Sequence, residues 1–141
     1  MSFVYEFEWD RSKALANLTK HAVDFKLAAT VFKDPLAATI FDDDHSGDEH
    51  RWVTIGKDQE GRYILVVHTF QEVEPNRASV RIIFGAPPNQ NGNRPVRRDI
   101  PMKPEYDFKN AERGKFFRPG AVLRLPIYLE PEVQTYLAAK A

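Results

Sequence analysis

The sequence predicts an α+β fold: a strand, two helices, and then a mostly antiparallel four-stranded sheet. Three observations predict it. Phe3 to Trp9 alternates apolar and polar residues, residues 10–34 carry apolar side chains at helical spacing, and four later apolar runs are separated by charged, turn-forming segments.

Phe3–Trp9 reads as the first strand. Asp10 or Ser12 can accept from the exposed amides that open a helix reaching about His21, with Ala14, Leu15, Leu18 and Ala22 expected to face inward. Asp24 is a second candidate cap. Beyond it Phe25, Leu27, Ala28, Val31 and Phe32 recur at helical spacing until Pro35, whose ring and missing amide hydrogen stop the helix. Strands are expected at Leu36–Phe41, Arg51–Gly56, Arg62–Phe70 and Arg77–Phe84. The acidic run "DDDHSGDEH" (Asp42–His50), a hairpin connection at Lys57–Gly61 and the turn "EVEPN" (Glu72–Asn76) join them.

Gly85–Pro104 breaks the pattern, with five prolines, two glycines and three asparagines. Such a stretch buries too little apolar surface to offset ordering, so it reads as a linker. The expected organisation is a core over residues 1–84, a linker over 85–104 and a tail over 105–141. In the tail Ala121–Leu129 reads as a strand and Glu130–Ala141 as a short helix. A strand and one helix cannot enclose a core, so the tail needs a surface to lie on.

With 43% apolar and 12% aromatic residues the chain can build a core, which argues against general disorder. Twenty basic and twenty acidic residues cancel, so attraction to nucleic acid must come from local clustering. No cysteine is present, which excludes disulfides and thiolate metal sites and suits a reducing cytoplasm. The N-terminus lacks a leader pattern, and no apolar run approaches the roughly 20 residues of a membrane span. A soluble, cytoplasmic protein with no membrane partner is expected.

Lys20 and His21 stand side by side at a helix end, where they can also simply complement the helix dipole. Glu49 and Arg51 can equally be solvated strand-edge charges. Arg81 is more pointed, because an arginine inside an apolar strand needs a partner or an exposed face. Trp9, Trp52 and His68 read as packed residues. The Asp42–His50 run lacks the spacing and closing glutamate of a calcium loop, so no metal is expected there and His45 and His50 have no supporting ligands.

The motifs "FEWDRSKALANLTKHAVDF", "AATVFKDPLA", "RWVTIGKDQEGRYILVVHTF" and "VRIIF" occur in that order from Phe7 to Phe84. Together they resemble the BrnT family, small ribonuclease toxins of bacterial type II toxin–antitoxin systems. The resemblance implies a compact RelE-like fold, RNA as substrate, an antitoxin as partner, and metal-independent cleavage without a cofactor. That chemistry activates the ribose 2′-OH toward the adjacent phosphate and needs a base, an acid and cations. The resemblance implies catalytic roles for His21, Glu49, Arg51 and Arg81, with His21 or Glu49 as base, and RNA binding by Lys20 and Arg62. A non-enzymatic binding module, or a subunit of a toxin–antitoxin repressor complex, is the alternative.

Family members continue past this strand with a helix of pattern "SARxxTxxExxxYE", where this chain has "FGAPPNQNGN". Read one nucleotide further along, the codons of Phe84-Gly85-Ala86 permit Ser-Ala-Arg, and those of Pro101-Met102-Lys103 force a stop overlapping the Met102 start. A one-base frameshift fusing two tandem genes is the expectation. From Met102 the sequence resembles the start of a BrnA-type antitoxin, and "VLRLPIYLEPEVQTYLAAKA" is similar to the opening of a ribbon-helix-helix domain. DNA would then be reached only indirectly, through a complete antitoxin. Tyr106, Phe108, Phe116 and Phe117 are the expected partner-binding residues, lying on the core in cis or on a neighbouring molecule, which would give a homo-oligomer by tail exchange.

Overall fold

A computed structural model describes residues 3–42, 49–88, 108 and 111–126. Strand β1 (Val4–Glu8) leads into helices α1 (Arg11–His21) and α2 (Phe25–Ala29) and a 3-10 turn (Thr30–Lys33). Strands β2 (Ala38–Phe41), β3 (Trp52–Lys57), β4 (Tyr63–His68), β5 (Gln71–Glu74) and β6 (Arg77–Ala86) follow, and the described tail residues add two short strands, β7 (Glu112–Arg113) and β8 (Val122–Arg124). No described helix is long and apolar enough to cross a membrane.

Local chemistry sets the helix boundaries. The Asp10 carboxylate accepts from the Lys13 amide at 2.9 Å, and Asp24 accepts from the Lys26 amide at 2.9 Å. Helix α1 ends as Ala22 adopts a left-handed conformation (φ 57°) and its amide donates to the Leu18 carbonyl. Helix α2 does not continue to Pro35. At Thr30 it tightens into the 3-10 turn, and the Thr30 hydroxyl donates to the Leu27 carbonyl at 2.6 Å and accepts from the Gln59 amide at 2.7 Å.

Ala14 packs against the core as expected, but the rest of the inward face of α1 differs. Leu15 and Leu18 are 56% and 45% exposed, and the buried residue is Asn17. Its amide nitrogen donates to the carbonyls of Val23 (3.0 Å) and Gly85 (2.8 Å), while the Gly85 amide donates to its oxygen at 3.2 Å. A carboxamide carries a donor and an acceptor on separate atoms, so it can serve both groups of one backbone residue, and seating it there turns the leucines outward. Gly85 also lets Val23 pack closely on β6, since a Cβ there would lie 3.2 Å from a Val23 methyl.

The strand order is β7-β2-β3-β4-β6-β1-β8, with β5 also paired to β6. The sheet is mixed: β1 runs parallel to both β6 and β8, and the other pairs are antiparallel. The expected four strands are therefore corrected to eight among the described residues; most pairings are antiparallel, and the parallel ones are those of β1. Strand β1 lies beside β6 rather than at a free edge, and the tail adds a strand at either end. "EVEPN" is not all turn either, because Glu72 and Glu74 pair with β6 and only Pro75-Asn76 reverses the chain.

Both faces carry apolar clusters. The inner face packs Tyr5, Phe7, Val66, Val80 and Ile82 against Val23, Phe25, Val31 and Phe32 of the helical layer. The outer face holds Val53, Leu65, Val67, Phe84 and Ala86, with Phe108 packed against them. A register shift opposite Val67 and His68 lets Ile82 face inward and Phe84 outward. Strand β6 continues beyond Phe84, and Gly85 and Ala86 are buried within it. Of the tail elements expected from the sequence, Val122–Arg124 is a strand, and Glu130–Ala141 lies outside the described residues.

Candidate functional site

Strand alternation and register gather charge at one end of the outer face. Trp52 and His68 face each other across β3 and β4 and belong to the inner side. Their sequence neighbours Arg51 and Thr69 therefore project the other way. Thr69 is locked to Arg81 by two bonds: its amide donates to the Arg81 carbonyl, and its hydroxyl accepts from the Arg81 amide, both at 3.0 Å. Arg81 alternates with the buried Val80 and Ile82 and so faces outward. Glu49, leaving the acidic run, forms an ion pair with Arg81, and Arg51 Nε lies 4.0 Å from the same carboxylate oxygen.

One carboxylate thus stands between two guanidiniums, all three side chains between 25% and 41% exposed. The guanidinium fork fits phosphate as well as carboxylate, so an incoming phosphate can replace Glu49 on Arg81 and leave a free carboxylate beside it. Glu8 stands opposite Arg81 in the β1–β6 register, a position the sequence reading did not single out.

The other named residues are placed as follows. His21 closes α1 and its ring meets that of Phe84 edge-on at 4.9 Å, three residues along β6 from Arg81. Lys20 precedes it on the exposed side of the helix. Arg62 is not brought to this group. It sits at the far end of the β3–β4 hairpin, where its amide donates to Asp58 Oδ1 at 3.0 Å and its guanidinium pairs with Asp58 Oδ2 at 3.2 Å. The length of β3 separates the two places, roughly 20 Å at the strand rise. Among the described residues no three histidine, aspartate or glutamate side chains converge to hold a metal, and residues 43–48 of the acidic run lie outside them.

The tail folds back onto the core. Phe108 joins the outer cluster, and Phe116 enters the inner one, stacked on Phe70 (4.1 Å between centroids, 18°) and edge-on to Trp52 and His68. The Tyr5 hydroxyl donates to the Phe116 carbonyl. Burial raises the Tyr5 pKa to about 12, with the nearby Arg118 opposing. Phe117 is half-buried, and Tyr106 lies outside the described residues.

A buried polar chain runs beneath the tail: Thr39 Oγ1 and Thr54 Oγ1 are 2.8 Å apart, and Thr54 Oγ1 lies 2.7 Å from His68 Nε2. His68 Nδ1 lies 2.9 Å from the Thr69 carbonyl, which can only accept, so Nδ1 carries the proton. Nε2 then accepts from Thr54, whose oxygen accepts from Thr39. Burial lowers the His68 pKa to about 4, only partly countered by the Thr69 carbonyl. The sequence marked His68 as packed, but the chain of hydroxyls depends on two strand registers, Thr39 with Thr54 and Trp52 with His68.

No curated protein matches the chain. The family described as "Ribonuclease toxin, BrnT, of type II toxin-antitoxin system" matches residues 9–84, from the last residue before the Asp10 cap to the outward-facing Phe84. That span covers more than half of the 141 residues and includes Glu49, Arg51 and Arg81, so the chain belongs to the BrnT family of ribonuclease toxins of type II toxin–antitoxin systems.

Proposed function

We propose that this chain is a metal-independent ribonuclease core whose site is the Glu49–Arg51–Arg81 group, held in check by its own antitoxin-like tail. The observation that carries the reading is the convergence of Glu49 and Arg51, from the loop that leads into β3, with Arg81 of β6. In the proposed reaction a phosphate of the RNA binds Arg81 and Arg51, displacing Glu49. Glu49 or His21 takes the proton of the 2′-OH, whose oxygen bonds to phosphorus as the bond to the 5′-oxygen breaks, and an acid returns a proton to that leaving oxygen. The arginines, with Lys20 at the rim, balance the extra negative charge of the five-coordinate phosphorus.

The tail belongs to this proposal. Phe108 sits in the cluster whose Phe84 carries His21, which supports a restraining role at the same face. The one-base shift over codons 84–102 accounts for how a toxin core came to read into an antitoxin start; resequencing the gene there tests it. Tail exchange between copies would make a homo-oligomer by the same contacts.

Cleavage of a labelled RNA by the full chain and by a Phe108→Ala/Phe116→Ala chain tests the reading. Cleavage should rise in the double variant and vanish when Glu49→Gln or Arg81→Ala is added. Cleavage that survives both additions removes the site assignment, and no cleavage by either chain removes the ribonuclease reading for this protein.

A further inference from the structure

The inner face carries a socket of five aromatic rings, Tyr5, Phe32, Trp52, His68 and Phe70, closed by Phe116, which is left 8% exposed. Four of the five rings come from within the matched family span, and Tyr5 comes from the strand just before it. The residue that fills the socket comes from well beyond its end at Phe84. The plug therefore comes from outside the matched span.

The way it is held is that of a bound peptide. On one side of Phe116 the tail pairs with β2 (Ala38 with Arg113, Thr39 with Glu112), and the Gly114 amide donates to the Ala37 carbonyl at 2.8 Å. On the other side it pairs with β1 (Val4 with Val122, Tyr5 with Leu123, Glu6 with Arg124). Main-chain pairing to exposed sheet edges with one side chain in a pocket is the physics of strand-addition recognition: the edges supply affinity and the pocket supplies specificity. Charges flank the anchor: Lys115 lies over Trp52 at 4.9 Å, and Arg118 lies 3.6 Å from Glu72 and over the Phe3 ring.

We infer that this socket is a peptide-recognition site of the toxin core, and that its ligand is a strand–phenylalanine–strand segment with basic residues beside the phenylalanine. In this chain residues 111–126 occupy it; in trans the occupant is a partner chain carrying the same element. The inference deepens the reading of the tail as antitoxin-like, by naming the element that binds and the surface that receives it.

The test uses the full chain with a site-specific protease sequence inserted between Val96 and Arg97. After cutting, a fluorescent peptide of residues 108–126 is added in urea just below the unfolding transition, and its uptake is followed by anisotropy and size exclusion. The peptide should exchange into the cut protein, and a Phe116→Ala peptide should bind at least about 100-fold more weakly, as expected for emptying an aromatic pocket. Loss of the fold on cutting, no uptake, or equal uptake of the two peptides would each overturn the inference. RNA cleavage plays no part in this readout, so a protein that binds the peptide but cuts no RNA refutes the ribonuclease proposal alone.

Discussion

His68 makes the stability of this protein depend on pH in a window that can be worked out in advance. It is fully buried, and its folded-state pKa falls to about 4 against ~6.5 in an unfolded chain. Between those values the unfolded chain takes up a proton that the folded chain refuses. Its contribution is thus fully present above pH 6.5, falls as pH drops, and is gone below pH 4. A difference of about 2.5 units at ~1.36 kcal/mol each gives about 3 kcal/mol in all, of which about 2 kcal/mol is lost by pH 5. Urea denaturation of the protein and of a His68→Gln variant, at intervals from pH 7.5 to 4.5, isolates the effect. The variant lacks the titrating group, so the difference between the two unfolding free energies should shrink by that amount as pH falls. A difference that stays constant from pH 7 to 5 would refute the neutral buried histidine.

Other perturbations test the frame around it. Asn17→Ala leaves the Gly85 amide and two carbonyls without their partner, at a cost of about 2–3 kcal/mol, measured by the same denaturation. Gly56→Ala places a Cβ 2.9 Å from that of Ala37 and 3.0 Å from a Val31 methyl, so β3 must shift from the 3-10 turn; about 2 kcal/mol should be lost and the melting temperature should fall accordingly.

Much of this was legible where causes are local. Asp10 and Asp24 cap their helices through amides two or three residues away, so sequence alone marked Asp24 and narrowed the first cap to Asp10 or Ser12. The α1 face was misread because helical spacing says which residues share a side, not which side meets the sheet. That choice rests on Asn17 finding Gly85, 68 positions later. The place of β1 was hidden for the same reason: alternation marks a strand and does not name its neighbours. Glu49, Arg51 and Arg81 could be singled out as charges with a purpose, but their meeting depends on the pairing of β3 with β4 and of β4 with β6. Arg62 carried a local warning instead, since Asp58, four residues earlier, takes its side chain.

The two faces of the sheet are not independent, and the reason is alternation. The rings that grip Phe116 from this end of the sheet are Trp52, His68 and Phe70; the outward row is Arg51, Thr69 and Arg81. Arg51 adjoins Trp52, and Thr69 lies between His68 and Phe70, so the same short stretches of backbone seat the anchor on one face and the charged row on the other. A tail that only shielded the outer face would leave this backbone unchanged when it departed. A tail anchored through Phe116 has a further effect, because emptying the socket removes the packing that holds residues 51–52 and 68–70 in register. The paired Thr69 and Arg81 amides report on that register, each bonded to the other residue. In a Phe116→Ala chain their hydrogen exchange should quicken about tenfold or more, while the Ala14 amide, bonded to Asp10 in the first turn of α1, keeps its rate. Equal rates at Thr69 and Arg81 in the two proteins would mean that the charged row keeps its geometry without the tail, and that Phe116 serves affinity alone.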